Sequence, residues 1–161
     1  MNKKSIYLVI FYSIVFVNLA FAESGNTKVV GLTCEYAVNP IGLDIQSPRF
    51  GWSIESSKRG LLQTSYQIIV SNSIEDLSKN NANIWNSGKI NFEKSTGISY
   101  NGAGLASRRR YYFKVKVWTN DNMENEWSKP GFFEMGLLKP EDWASDWITY
   151  VPGMPGRVFY Y

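Results

Sequence analysis

Two segments of this chain place apolar residues at every second position, and this pattern restricts the fold more than any other feature. Phe50, Trp52 and Ile54 alternate with small residues, and the segment 111–117 alternates in the same way. Side chains two positions apart lie on one face of a strand, so each segment predicts a strand with one buried face. Turn residues separate further apolar runs, and strands are predicted at 28–36, 49–55, 65–71, 84–89, 96–100, 111–120 and 131–135. Seven short strands of this kind predict an all-β chain folded as an antiparallel β-sandwich.

Two connections between the predicted strands carry local signals. Asn39 and Pro40 suit the first two positions of a type I turn that Gly42 closes, because the Asn side chain can bond the backbone ahead of it and Pro fixes φ. Ser73 stands before the segment 74–77 as an N-cap ahead of acidic residues. The sequence therefore predicts a tight turn after the first strand and one helical turn after the third.

The core is predicted to be rich in aromatic residues. Trp52, Trp85, Tyr36 and Tyr66 fall within or beside predicted strands, and we expect all four to be buried. Cys34 is the one cysteine of the chain and lies in an apolar run, which predicts a buried small hydrophobic residue instead of a reactive thiol. A single cysteine forms no internal disulfide, so packing alone must hold the fold together.

The chain contains no histidine, the commonest metal ligand and the commonest general base. Glycoside hydrolysis would need two carboxylates held across a sugar, but the acidic residues fall mostly in predicted turns and at strand ends. A sandwich of this size offers little concave pocket to perturb their pKa values. We therefore predict no catalytic residue, no metal site and no cofactor in this chain.

The N-terminus has the pattern of an export signal. An apolar run over 6–17 follows a basic start, and Ala20 and Ala22 precede Glu23. Small residues at these two positions fit the cleavage rule of secretory signal peptides, so residues 1–22 are predicted to be removed. The alternative is an uncleaved N-terminal anchor. Cleavage would leave no stable membrane span and a secreted or periplasmic protein.

The charge of the mature chain is close to neutral. Removing Lys3 and Lys4 with the signal peptide reduces 17 basic residues to 15, against 14 acidic residues, for a net charge of about +1. The run of three arginines at 108–110 lacks the interleaved aromatic residues of a nucleic-acid surface, and it is predicted to be a solvated loop. No nucleic-acid partner is expected.

The segment before the sixth predicted strand points to a particular sandwich topology. Tyr111 opens a strand of strict alternation, where a tyrosine corner bonds its hydroxyl back to the preceding loop. Leu105, six positions earlier, resembles the leucine that fibronectin type III modules keep in that loop. Phe113 stands where an antibody domain would have its second cysteine. This part of the chain resembles a fibronectin-III/immunoglobulin-like β-sandwich.

The outer face of the same strand is the candidate contact surface. Tyr112, Lys114, Lys116 and Trp118 occupy the face opposite Tyr111. Three interpretations remain open for Tyr112 and Trp118: ordinary surface packing under lysine stems, contact with another domain, and stacking on sugar rings.

Three stretches of the sequence resemble the secreted bacterial α-L-rhamnosidases of glycoside hydrolase family 78. The first spans 39–54 and contains the motifs NPIGLD and PRFGWSI, the second spans 63–71, and the third spans 132–147. The resemblance implies a non-catalytic fibronectin-III-like module at 28–136. It also implies that 137–161 is a linker with the truncated start of a second β-sandwich. We expect this last segment to be less well ordered than the module.

In the resembled family, hydrolysis of terminal α-L-rhamnose proceeds with inversion, and the catalytic acids lie in a helical barrel far downstream. They match no position of this chain. The implied partners are the downstream domains of the intact glycosidase and, through that enzyme, a rhamnose-containing glycan. The alternatives are a free-standing secreted β-sandwich that binds a glycan or protein, and a sandwich from another exported glycosidase.

Overall fold

The computed structural model describes residues 27–122 and 124–145, together with the backbone of two strands at Ile148–Tyr150 and Val158–Tyr160. The predicted signal peptide at 1–22, with Ala20, Ala22 and Glu23 at its cleavage point, lies outside the described residues. In chain order the elements are β1 (Lys28–Cys34), β2 (Arg49–Glu55), β3 (Gln63–Ser71), α1 (Ile74–Ser78), β4 (Trp85–Asn86), β5 (Ile90–Asn91), β6 (Ile98–Ser99), β7 (Arg110–Thr119), β8 (Gly131–Glu134), a 3-10 turn (Pro140–Asp142), β9 (Ile148–Tyr150) and β10 (Val158–Tyr160).

Strands β1 to β8 form the two sheets of a sandwich, which confirms the predicted fold class. One sheet has the order β1-β2-β6. The other has the order β4-β3-β7-β8, with β5 also paired to β3, and every strand pair is antiparallel. The backbone of β9 and β10 forms a separate antiparallel pair. Ser73 caps α1 by accepting a hydrogen bond from Asp76 N at 3.2 Å, as its position before the acidic residues predicts.

The strand predicted at 84–89 is only β4 at Trp85–Asn86, and β5 follows just beyond it at Ile90–Asn91. Both short strands pair with β3. The break occurs where the Ser87 Oγ accepts a hydrogen bond from Ile68 N at 2.9 Å. Gly88 then takes a φ of +64°, a left-handed conformation that glycine adopts without a Cβ penalty. The chain therefore leaves the edge of β3 and returns to it within a few residues.

The segment after β1 crosses from one sheet to the other. Leu43 forms a parallel bridge with Met135, and Pro40 O accepts a hydrogen bond from Glu134 N at 2.9 Å. Asn39 was predicted to bond the local turn, but its Oδ1 accepts from the N–H of Phe132 at 2.9 Å, 93 positions along the chain. The side chain is thus used to attach the crossing segment to β8, and this closes one edge of the sandwich.

The core between the sheets is an aromatic cluster. The Phe50 ring of β2 lies 4.7 Å from the Phe113 ring of β7, and the Trp52 ring lies 5.3 Å from the Tyr66 ring of β3. Burying a large apolar side chain stabilises a fold by roughly 1.5 to 3 kcal/mol, so this cluster dominates the stability. The predictions for Trp52 and Tyr66 are confirmed because both are buried, while Trp85 is partly buried against the cluster.

The end of β1 differs from its predicted position, and the burial of Tyr36 changes with it. β1 stops at Cys34, where two hydrogen bonds with Ala37 close a turn. Glu35 and Tyr36 both take left-handed φ angles in this turn, and the Tyr36 ring is 68% exposed. The prediction that Tyr36 lies in the core is therefore wrong.

Cys34, in contrast, is fully buried, as predicted. Its burial, with a smaller contribution from the Glu35 carboxylate, raises the pKa of the thiol to about 12. The side chain is neutral at physiological pH and serves as a small apolar residue.

Candidate functional site

The outer face of β7 carries Tyr112, Lys114, Lys116 and Trp118, as the alternation of the strand requires. Tyr111, Phe113, Val115 and Val117 point into the core on the other side. Lys114 is only 7% exposed, and the other three outer residues are half-buried. This face is therefore packed by neighbouring side chains.

The neighbours around Trp118 are lysines and a second tryptophan. The Nζ of Lys89 lies 4.4 Å from the centre of the Trp118 ring, and the Nζ of Lys116 lies 5.9 Å from it. Lys116 also lies 4.9 Å from the ring centre of Trp127 and pairs with the Glu124 carboxylate at 2.6 Å. Cations over aromatic faces attract the ring quadrupole, so the lysines and rings hold one another in place.

Lys114 lies deepest in this arrangement, 5.3 Å from the Trp127 ring centre. Its burial, with a smaller effect of the Lys116 charge, lowers its pKa. Trp127 is the member of this cluster that sequence reasoning did not include. It lies in the connection before β8, outside the strand alternation from which the outer face was deduced.

Tyr112 belongs to a different cluster. Its ring lies 6.5 Å from that of Phe132, and the guanidinium of Arg110 lies 4.4 Å from the Phe132 ring centre. Arg110 also pairs with Glu134 at 3.0 Å. Tyr112 and Trp118 are six positions apart on one strand, which separates them by roughly 20 Å. The structure does not bring the two predicted contact residues into one site.

The loop between β6 and β7, residues 100–109, is held by two tyrosine hydroxyls. The Tyr111 hydroxyl accepts a hydrogen bond from the N–H of Ala106 at 2.9 Å, and its ring stacks on Phe133 at 5.5 Å. Leu105 packs partly buried against the core cluster. At the other end of the loop the Tyr100 hydroxyl donates to Ala103 O at 2.6 Å.

The environment of Tyr100 shows that this loop is closely packed. Burial, with a smaller contribution from Tyr111, raises the pKa of Tyr100 to about 12. Gly102 passes so close to the neighbouring chain that a Cβ there would lie 2.6 Å from the Cβ of Trp85. A side chain at position 102 would force the loop or its neighbours to move, because Tyr100 and Trp85 occupy that space.

Residues 137–143, which we call the exit segment, lie against this loop. The Arg108 N–H donates to Gly136 O at 3.0 Å, and the Leu138 N–H donates to Ser107 Oγ at 3.0 Å. The Ser107 hydroxyl donates in turn to Asp142 Oδ2. The sequence predicts a linker from 137 onward, and the structure shows that its first residues are hydrogen-bonded to the sandwich. No local sequence pattern pairs Ser107 with a carboxylate 35 positions away.

Hydrogen bonds stabilise the ionised form of the Asp142 side chain. Its pKa is lowered first by the Ser107 hydroxyl and then by the backbone N–H groups of Lys139 and Leu138, while desolvation opposes the shift. Lys139 also lowers it through its charge. The carboxylate is therefore a structural acceptor that is ionised at neutral pH.

Other carboxylates of the described chain form surface ion pairs. Glu35 pairs with Arg49 at 2.7 Å, and Asp121 pairs with Lys58 at 2.7 Å. The hydrogen bond from the Arg49 side chain is the main cause that lowers the pKa of Glu35. Within the described residues, no group of three or more His, Cys, Asp or Glu side chains is placed to hold a metal ion.

Three surface cavities indicate what chemistry the described residues offer. A cavity of about 650 Å³ between the β6–β7 loop and the exit segment has Asp142 as its carboxylate. A groove of about 540 Å³ beside β1 has Glu126 as its carboxylate, and one of about 650 Å³ at residues 108–112 has no carboxylate in its lining. Two opposed carboxylates are needed for glycoside hydrolysis, and none of these cavities has a pair.

Across the part of the chain that the structure describes, no helix has the length and apolar character needed to cross a membrane.

Comparison with known proteins places the sandwich in a family. Residues 29–139 match the family model described as "Rha78A-like, N-terminal immunoglobulin domain". An alpha-L-rhamnosidase of Formosa agariphila is 43% identical over 112 residues, and one of Streptomyces avermitilis is 36% identical over 122 residues. The matches cover 69% and 76% of this chain, but only 12% of each relative.

Solved structures give the same result. The chain is similar to the alpha-L-rhamnosidase from Dictyoglumus thermophilum, with a TM-score of 0.74 and 34% identity over 78% of this chain and 14% of that one. It is also similar to the Streptomyces avermitilis alpha-L-rhamnosidase complexed with L-rhamnose, with a TM-score of 0.72 and 36% identity over 76% of this chain and 12% of that one. The chain therefore belongs to the family of N-terminal immunoglobulin domains of Rha78A-like proteins.

Proposed function

We propose that this chain is the non-catalytic N-terminal structural module of an exported α-L-rhamnosidase of glycoside hydrolase family 78. The observation that carries the proposal is the extent of the matches: they cover most of this chain and 12% of each rhamnosidase. The sandwich adds support, since each of the three surface cavities described above, all formed by described residues, offers at most one carboxylate. Hydrolysis of terminal α-L-rhamnose is then the task of the rest of the parent enzyme.

The domain organisation that goes with this proposal has three parts. Residues 1–22 are a signal peptide, 28–136 are the module, and 137–161 are a linker with the start of a second β-sandwich. The partners are the downstream domains of the intact glycosidase and, through it, a rhamnose-containing glycan. The secreted or periplasmic chain should begin at Glu23, which N-terminal sequencing of exported material tests. Recovery of the chain with Met1 still attached to membranes would contradict this cleavage and favour an uncleaved N-terminal anchor.

Sequencing the gene beyond the codon for Tyr161 tests the module assignment. We expect the reading frame to continue into a second sandwich and a helical barrel. A stop codon followed by non-coding sequence would favour the alternative, a free-standing secreted β-sandwich that binds a glycan or protein. In that alternative Tyr112, Trp118 or the arginines at 108–110 would be the binding residues. The lysines over the Trp118 ring count against Trp118.

An activity assay with an aryl α-L-rhamnoside completes the test. The continuous parent protein should release rhamnose, and this chain alone should release none above a blank. Glu126→Gln and Asp142→Asn are the informative variants, since these residues supply the cavity carboxylates. Rhamnose release by the chain that either variant abolishes would refute the non-catalytic role.

A further inference from the structure

We propose that Asp142 is a positioning residue that docks the exit segment onto the β6–β7 loop and thereby fixes the direction in which the following polypeptide leaves the sandwich. The partner of this docking surface is the chain's own segment 137–143. The docking itself does not depend on the proposed function. Only the statement that a further domain follows the exit segment rests on it.

Three donors converge on one oxygen of Asp142. Asp142 Oδ2 accepts hydrogen bonds from the Ser107 hydroxyl, from Lys139 N at 3.0 Å and from Leu138 N at 3.3 Å. Hydrogen bonds to a charged acceptor are stronger than those between neutral groups. One side chain thus links a loop of the sandwich to two backbone groups of the exit segment.

The main chain of Asp142 is held as well. The guanidinium of Arg108 donates to the carbonyl oxygen of Asp142 at 2.5 Å. Because both the side chain and the carbonyl are fixed to adjacent residues of one loop, the 3-10 turn Pro140–Asp142 has a defined orientation on the sandwich.

The backbone of Arg108 has a left-handed conformation. It takes a φ of +59°, which is unfavourable for a residue with a side chain, and glycine would fit this position without strain. Glycine would keep the hydrogen bond from the backbone N–H to Gly136 O, but it would lose the contact with Asp142. Arginine at this strained position therefore places a guanidinium where it donates a hydrogen bond to the docked turn.

The consequence for the parent protein is a short, directed connection. Strand β9 begins at Ile148, six positions after Asp142, and six residues reach at most roughly 20 Å. With Asp142 docked, the following domain must begin within that distance of the β6–β7 loop. If the segment detached from the loop, the backbone would still be bonded to the sandwich at Gly136, twelve positions before β9, and the limit would rise to roughly 40 Å.

Amide exchange in the 161-residue chain tests the docking. In Asp142→Ala, exchange at Lys139 should accelerate about tenfold or more, because its acceptor is gone. In Ser107→Ala the same is expected at Leu138, whose N–H lies 3.0 Å from Ser107 Oγ and 3.3 Å from Asp142 Oδ2. Glu141→Ala is the matched control, being an adjacent carboxylate in the same turn. Val115, in the centre of β7, reports whether the sandwich is intact. Unchanged exchange at Leu138 and Lys139 in both variants, with Val115 protected, would overturn the docking.

A distance measurement tests the direction. Spin labels on Ser57→Cys and Ser145→Cys, both exposed positions, can be attached selectively because Cys34 is buried. The distance distribution should be narrow in the parent chain and with Glu141→Ala, and broad with Asp142→Ala. Equal widths in all three would refute the positioning role. Neither measurement depends on rhamnosidase activity, so failure here and failure of the proposed function are separate results.

Discussion

Replacing Tyr111 by phenylalanine removes one hydroxyl from the structure and nothing else. That hydroxyl is the acceptor for the N–H of Ala106, at 2.9 Å, in the loop between β6 and β7. The Tyr111 ring is 5% exposed and stacks on Phe133, and phenylalanine keeps this packing. The variant therefore isolates the contribution of the hydrogen bond.

The expected loss of stability follows from the exposure of the two partners. A buried donor left without an acceptor costs about 1 to 3 kcal/mol. Ala106 itself is exposed, so water can partly replace the hydroxyl, and we expect roughly 1 to 2 kcal/mol. For a domain of this size about 1 kcal/mol corresponds to about 4 °C, so the midpoint should fall by about 4 to 8 °C.

Thermal and urea denaturation followed by circular dichroism measure this change. Tyr112→Phe is the matched control, because it removes a hydroxyl from the half-buried outer face of the same strand. Its effect should stay within about 0.5 kcal/mol. Equal shifts in the two variants would show that the Tyr111 hydroxyl has no special role, and the reasoning about this loop would be wrong.

Three further predictions concern the core, the thiol and the exit segment. Gln63→Leu should destabilise the fold by about 1 to 3 kcal/mol, because the Gln63 side chain accepts a hydrogen bond from the buried indole N–H of Trp52 at 2.9 Å. A denaturation midpoint equal to that of the unaltered chain would contradict this. Cys34, with a pKa raised to about 12, should react with a thiol reagent at pH 8 only after unfolding, and fast labelling of the folded chain would refute its burial. The pKa of Asp142 is lowered mainly by the Ser107 hydroxyl. The stabilising effect of the ionised Asp142 carboxylate is therefore present above the ordinary pKa of 3.8 and is lost as the pH falls through the lowered pKa. Heteronuclear NOEs of the exit segment should therefore drop at acidic pH while those of β7 do not, and a parallel loss in β7 would show that the sandwich opens first.

Period-two alternation predicted the strands because it is a property of neighbouring residues. The bounds of β2 and the inward set on β7 follow from it directly, since side chains two apart must share a face. Burial of Cys34 and the Ser73 cap follow from equally local patterns. Where the backbone turns locally, the pattern was insufficient: Tyr36 continues the apolar run of β1 but lies in a left-handed turn that exposes it.

Contacts between distant parts of the chain are decided by the tertiary structure. Asn39 looks like a turn residue in the sequence, and its amide oxygen bonds β8 only because the crossing segment and β8 are brought together by the closed sandwich. Ser107 and Asp142 carry no signal that links them, and they meet because the β6–β7 loop and the exit of β8 lie at the same end of the fold. The sequence alone determined which faces are buried, since burial follows from short-range periodicity. Which polar groups meet across the sandwich was decided by the topology, because hydrogen bonds require atoms to be within about 3 Å regardless of their separation along the chain.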